Sequence, residues 1–334
     1  MNGMIEVRGL VKEYGSGVRA VDGIDFSVAE GEIFGFLGPN GAGKSTTISM
    51  ITTLLTPTSG SISVDGIDVV RDPDAVRRVI GLVPQDLTSD DDLSGMENML
   101  LQADLYGVPK QEAREHADEL LRMVQLHDVA DRLVDTYSGG MRKRLELIEG
   151  LIHRPKVLFL DEPTLGLDIQ TRNIIWNRIL KMRDEDNMTV FLTTHYLEEA
   201  DFLCDRIAII DEGKIKISGT PDELKLSLNG DKVYIKTEDC DDIHETLNGL
   251  SGVRSVSCVG GAYKIDAEDG DRTIRDVLSA AADNKWRVVS ISLNHPSLNE
   301  VFLKYTGKDI RDPAGEASKE EVRKQNLQSR RRQK

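Results

Sequence analysis

The sequence predicts an α/β fold: a buried parallel sheet carrying a phosphate-binding loop, an inserted helical subdomain, an antiparallel β subdomain and a small C-terminal α+β domain. Three observations carry this reading. Gly38-Pro39-Asn40-Gly41-Ala42-Gly43-Lys44-Ser45-Thr46 matches G-x-x-x-x-G-K-[ST], set between a short apolar run, Ile33 to Leu37, and a helical pattern from Ser45 to Leu55. Further apolar runs at Val157-Leu158-Phe159-Leu160 and Val190-Phe191-Leu192 read as strands buried on both faces. The last third has a different rhythm, with strand-like and helical runs in the order βαββαβ.

In chain order, residues 4 to 28 alternate apolar and polar around turns at 14–17 and 22–23, as antiparallel strands do. After the loop helix, 58–66 reads as turn, strand and turn, and Ile80 to Gln85 as a strand running into a loop. Residues 94 to 126 have helical periodicity broken at Gly107-Val108-Pro109, and the methionines there read as helix core. Buried strands at 157–160 and 189–194 follow, then closing strands at 207–210 and 214–217, and polar residues at 218–231. The expected units are residues 1–222, with the helical insertion at about 86–150, then 223–306, then a charged tail at 307–334 that should be disordered.

Composition narrows the function. At 334 residues, 39% hydrophobic and 30% charged, the chain reads as soluble and globular, with room for one large and one smaller domain. No apolar run approaches the roughly 18 residues of a membrane span, and the N-terminus lacks the apolar core of a signal peptide. The cytosol is expected, and any membrane role must come through a partner. A net charge of −15 argues against general nucleic-acid binding. The charge is uneven: Gly307 to Lys334 holds nine Lys/Arg against five Asp/Glu. Cys204, Cys240 and Cys258 are odd in number and far apart, which gives no disulfide framework or zinc spacing and implies buried or inert thiols.

The chemistry sits at strand ends. The loop glycines Gly38, Gly41 and Gly43 let the backbone approach an anion, and the helix from Lys44 adds its positive end. Lys44 reaches β- and γ-phosphates, and the Ser45 hydroxyl is set to ligate Mg²⁺. Asp161 and Glu162 end one buried strand. As neighbours they point in different directions, Asp161 toward the metal and Glu162 toward a water that gives up its proton. His195 ends the next buried strand and is a γ-phosphate candidate. Gln85 is either a solvated glutamine or a group that reaches Mg²⁺ or the attacking water. Tyr14 is either a turn tyrosine or a stacking face for adenine. Ser138-Gly139-Gly140 before a basic helix is either a plain N-cap or a second anion site.

This ordered set resembles the ATPase subunit of ATP-binding cassette (ABC) transporters over roughly residues 4 to 220. The resemblance implies ATP and Mg²⁺ as ligands. It implies Tyr14 as the adenine-stacking aromatic, Gly38 to Thr46 as the Walker A loop and Gln85 as the Q-loop glutamine. Asp161 and Glu162 become the Walker B aspartate and catalytic glutamate, Leu167-Asp168 the end of the D-loop, and His195 the switch histidine. Tyr137-Ser138-Gly139-Gly140-Met141 departs from the usual L-S-G-G-Q signature at both ends but keeps the groups that meet phosphate. Those variants, and His295 to Leu303, resemble the daunorubicin-resistance-type exporter branch. The implied function is ATP hydrolysis coupled to export of drugs, lipids or other hydrophobic compounds, by a homodimer in the ATP-bound state working with integral-membrane permease subunits. The competing reading, a soluble cassette ATPase acting on ribosomes or DNA, fits poorly with a single cassette and an acidic body.

Overall fold

A computed structural model of the chain describes residues 3–15, 17–228, 230–238 and 243–307. Cys240 and the charged stretch beyond Gly307 lie outside them. The chain divides into two compact units, one reaching to Pro221 and the other spanning Asp222–Gly307.

The first unit opens with β1 (Ile5–Glu13) and β2 (Arg19–Val28), whose alternation buries Ile5, Val7, Leu10, Val21, Ile24 and Val28. β3 (Ile33–Leu37) is buried throughout, and the phosphate loop joins it to α1 (Lys44–Ile51). The helical pattern continues to Leu55, but the helix stops at Ile51: Thr53 turns left-handed at φ 66° and leaves Leu54 exposed. β4 (Ser59–Val64) and β5 (Ile67–Asp68) complete an antiparallel sheet ordered β2-β1-β4-β5. α2 (Pro73–Val79), capped by Asp72, leads into β6 (Ile80–Val83).

Three helices follow: α3 (Gly95–Leu105), held at its start by a Ser94/Glu97 capping box, α4 (Lys110–Met123) and α5 (Gly139–Glu149). The chain then runs through β7 (Val157–Asp161), α6 (Ile169–Asp186), β8 (Thr189–Thr194), α7 (Leu197–Leu203), β9 (Arg206–Asp211) and β10 (Lys214–Gly219). The main sheet is ordered β10-β9-β3-β8-β7-β6, parallel except for β10. β3, β7 and β8 are buried at every position, which is why they read as continuous apolar runs. Their core is aromatic: Phe191 lies 5.5 to 5.9 Å from the rings of Phe26, Phe34, Phe36 and Phe159, so β2 and the main sheet share one cluster.

The C-terminal end of α5 lies close on β6 because glycine stands on both sides of the contact, Gly150 just after the helix and Gly81 on the strand. A Cβ on Gly81 would stand 2.1 Å from the Gly150 carbonyl, and one on Gly150 would meet Val83 at 3.1 Å. Cys204 is buried against Gly35, where a Cβ would sit 2.7 Å from the thiol, and burial pushes that thiol well above its usual range. Cys258 is free and exposed, because its place on a strand face looks outward.

α8 (Pro221–Leu226) forms where the polar composition suggested only a break, anchored by buried Leu224. The second unit continues with β11 (Asp231–Thr237), α9 (His244–Asn248), β12 (Val253–Val259), β13 (Ala262–Ala267), α10 (Gly270–Asp283), β14 (Val288–Asn294) and α11 (Leu298–Thr306). Its antiparallel sheet is ordered β12-β13-β11-β14, with Val233, Ile235, Leu247, Ile265 and Val277 in its core. Phe191→Ala removes the hub of the aromatic cluster and should destabilise the first unit by about 3–5 kcal/mol, read by chemical denaturation, while Phe191→Leu should cost less.

Candidate active site

The phosphate loop leaves the C-terminal end of β3 and is braced from two sides. The Gly213 N–H donates to the Ala42 carbonyl at 3.0 Å, and the start of β2 closes on Gly43, where a Cβ would stand 2.4 Å from the Ala20 carbonyl. Gly43 is also left-handed at φ 110°, so both space and backbone require glycine there. Gly41 has φ 79° and open space around it. Gly38 differs from the sequence reading: its φ is not positive, and glycine is required because a Cβ would meet the Ile210 carbonyl at 2.3 Å.

Lys44 is only 5% exposed. Its Nζ donates to the carbonyls of Gly38 at 2.7 Å and Pro39 at 3.3 Å, and lies 3.8 Å from Glu162 Oε1. Burial lowers its pKa, and the charges of Glu162 and Asp161 oppose that shift. β8 sits between β3 and β7, so the ends of three neighbouring strands converge here. Asp161 closes β7 and accepts from the Thr193 hydroxyl on β8. Glu162 then adopts a left-handed φ of 52°, which turns it away from Asp161. Its N–H donates to the Thr193 carbonyl at 3.1 Å, fixing that turn. Its Oε2 lies 3.2 Å from His195 Nδ1. Burial raises the Glu162 pKa, but the His195 hydrogen bond and charge and the Lys44 charge outweigh it, so the carboxyl sits below its ordinary range.

Lys44, Asp161, Glu162 and His195 are thus brought together. The hydrogen bonds of the other candidates lead elsewhere. Ser138 is the N-cap of α5 and accepts from the Met141 N–H at 3.3 Å. Gly139 is exposed and open, and a Cβ on Gly140 would meet Thr171 at 3.1 Å. Tyr14 sits in a turn closed by Gly17 N–H to its carbonyl, its ring half exposed and 5.5 Å from Lys12 Nζ. Gln85 is exposed, with its carbonyl accepting from Lys143 at 3.2 Å. A hydroxyl at Ser45, in the first turn of α1, and the Asp161 carboxylate are hard oxygen donors of the kind Mg²⁺ takes. Among the described residues, no group of three or more His, Cys, Asp or Glu could hold a metal ion.

A family model described as "ABC transporter" matches residues 21–165. The chain is 43% identical to the daunorubicin/doxorubicin resistance ATP-binding protein DrrA of Streptomyces peucetius, covering 95% of this chain and 96% of that one. The chain belongs to the ATP-binding subunits of ABC transporters. Its activity is ATP hydrolysis coupled to transport. The linearmycin resistance ATP-binding protein LnrL of Bacillus subtilis is 38% identical over 92% of this chain and 100% of its own. Residues 219–306 match the model "ATP-binding protein DrrA1-3-like, C-terminal domain". Among solved structures, a dimeric post-hydrolysis ATP-binding cassette, MJ0796 bound to ADP and Pi, superposes with a TM-score of 0.60 at 29% identity. That match covers 65% of this chain and 98% of the other.

Several groups of this ABC subunit had no readable signal. The packing of Tyr137, a residue read in the sequence only as a signature variant, is one: its buried ring donates from the hydroxyl to the Val129 carbonyl at 2.8 Å and packs where a side chain on Gly95 would be. The α5 face behind the signature is another. Lys143 donates to the Pro84 and Gln85 carbonyls at 2.9 and 3.2 Å, and Glu146 Oε1 accepts from the Thr88 and Ser89 N–H groups. α5 therefore grips the loop that follows β6.

Glu149, one turn on, accepts from the Ser89 hydroxyl at 3.2 Å. Burial, then the Glu146 charge, pushes its pKa up to about 7 against that hydrogen bond. The folded chain therefore keeps a proton that the unfolded chain releases above about 4.5, and stability falls as pH rises from there to about 7. The loss amounts to roughly 3 kcal/mol at most. Glu149→Gln should flatten that slope and raise the melting temperature at pH 8, measured by calorimetry across pH.

Proposed function

We propose that this subunit binds ATP with Mg²⁺ on the Lys44 loop and hydrolyses it with Glu162 as general base, driving an exporter of hydrophobic compounds. One observation carries the reading: Glu162 lies between the Lys44 ammonium and the His195 ring, 3.8 and 3.2 Å away. Lys44 and the loop N–H groups hold the β- and γ-phosphates; Ser45, Asp161 and Gln85 would hold the Mg²⁺ ion, whose chemistry there would be to supply positive charge against the phosphates. Glu162, ionised because its pKa is depressed, takes a proton from the attacking water. His195 orients Glu162 and meets the γ-phosphate side. Tyr14 stacks on the adenine.

At the N-terminus of α5, Ser138 and Gly139 are exposed and Gly140 is half-buried, and the Ser138 side chain does not hydrogen-bond to the Lys44 group, as expected if this end serves the site of a second copy. ATP shared by two subunits stabilises their closure, and loss of the γ-phosphate releases it. A homodimer would hold two equivalent sites. No helix among the described residues is long and apolar enough to cross a membrane, so integral-membrane permease subunits would carry the pathway and hold this subunit at the inner face. The resistance functions in the relatives' names support export and give the ribosomal or DNA reading no support.

Glu162→Gln should bind ATP yet lower turnover by about 10² to 10⁴, and it should form an ATP-dependent dimer on size exclusion. Near-normal hydrolysis in that variant would require another base. Lys44→Ala and Ser138→Arg homodimers should each be inactive, whereas mixing them should restore activity up to about half, since one mixed site carries both defects and the other neither. Absence of rescue in verified mixed dimers would count against two independent shared sites.

A further inference from the structure

Behind the Glu162–His195 pair lies a carboxyl group that the catalytic scheme does not use. Glu199, on α7, is fully buried. Its Oε1 accepts from the Thr164 hydroxyl and from the Trp176 indole N–H, each at 2.8 Å, while Oε2 has no hydrogen-bond partner of good geometry. Thr164 is itself fully buried and stands two residues after Glu162, at the start of the loop that ends at Asp168. Trp176 belongs to α6, which that loop feeds, and Glu199 follows His195 by four residues. One carboxyl oxygen thus binds three segments together: the loop after Glu162, α6, and the segment after His195.

A second bridge joins the same segments on another side. Arg172 of α6 donates to the Leu167 carbonyl at 3.1 Å and lies 4.4 Å from the Tyr196 ring. Tyr196 in turn packs 4.2 Å from His195. The contacts close into a circuit from Glu162 through His195, Tyr196, Arg172 and Leu167 to Thr164 and Glu199. Burial raises the Glu199 pKa, and the Thr194, Thr164 and Trp176 donors and the Arg172 charge reverse this only in part. Both donors meet the same oxygen, Oε1, and a glutamine side chain keeps a carbonyl oxygen that can accept both hydrogen bonds, so glutamine can replace Glu199 in this contact.

We infer that Glu199 is a positioning residue, holding Thr164 so that the Glu162 carboxylate and the His195 ring meet the γ-phosphate in one geometry. The inference rests on the assignment of Glu162 as base. Its effect is on the reacting geometry and not on nucleotide capture, because Glu199 and Thr164 contact neither the Lys44 loop nor α1 by hydrogen bond. A misplaced base of this kind costs about 10- to 100-fold in rate.

The test measures kcat and KM for Mg²⁺-ATP on the full chain for wild type, Glu162→Gln, Glu199→Gln, Glu199→Ala, Thr164→Val and the Thr164→Val/Glu199→Ala double variant. Glu199→Gln should stay within about threefold of wild type. Glu199→Ala and Thr164→Val should each lose about 10- to 100-fold in kcat with KM nearly unchanged, and the double variant should be no worse than the poorer single. Thr164→Val preserves side-chain shape and keeps the test valid if Glu199→Ala does not fold. Wild-type kcat in Thr164→Val, losses that multiply in the double variant, or a rise in KM in place of a fall in kcat would overturn the positioning role. Full activity in Glu162→Gln would instead overturn the assignment of the base, whatever the Glu199 series shows.

Discussion

The site depends on a single buried cation. An ammonium 5% exposed has lost nearly all its water, and the protein must answer it with oxygen atoms. The carbonyls of Gly38 and Pro39 and the carboxylate of Glu162 do so. This need accounts for much of the local architecture. The loop has to curl until its own carbonyls face the lysine, which brings Gly38 against the β9 backbone and Gly43 against β2. A polyphosphate entering the loop offers charged oxygens in place of carbonyls, so binding exchanges weaker partners of the same cation for stronger ones.

Glu162 is the costly counterpart. A non-glycine residue in the left-handed region is disfavoured by roughly 1–2 kcal/mol, and burial disfavours its charge as well. Both penalties are met within the same few residues. Thr193 fixes the turn with its carbonyl, and His195 and Lys44 stabilise the ionised form. The result is a carboxylate held charged, beside a cation, at the mouth of the sheet. The geometry is favourable for chemistry and unfavourable for stability in isolation, a common trade at functional sites.

How much of this could be read from the sequence follows from the range of the interactions. The phosphate loop, the buried strands and the acidic pair after β7 were legible because their signals are local: glycine spacing, unbroken apolar runs, and polar residues where such a run ends. The alternation of β11 to β14 was legible for the same reason. Glu199, Glu146 and Thr193 gave no signal, since each is explained by a partner with no fixed offset in the chain. Glu146 is 58 residues from Thr88, and Glu199 is 35 from Thr164. A buried glutamate on an amphipathic stretch looks like a surface one until the opposing segment is known. The early stop of α1 and the left-handed turn at Glu162 were hidden differently, because neither uses the glycine or asparagine that usually marks such a turn.

The two glycines where α5 lies on β6 carry an evolutionary consequence. Each is crowded by the other's neighbourhood: Gly81 by the carbonyl of Gly150, and Gly150 by Val83, next but one to Gly81. Gly81 cannot gain a methyl group unless the backbones at Gly81 and Gly150 first move apart, which would disturb the Lys143 and Glu146 contacts made by the helix that ends there. A methyl at Gly150 asks only the Val83 side chain to give by a few tenths of an ångström. The constraint therefore falls hardest on Gly81. Drift can rewrite the solvent faces around it, but a lineage that lost Gly81 would have to rebuild the helix-to-strand distance, and with it the grip on the loop after β6, in the same step.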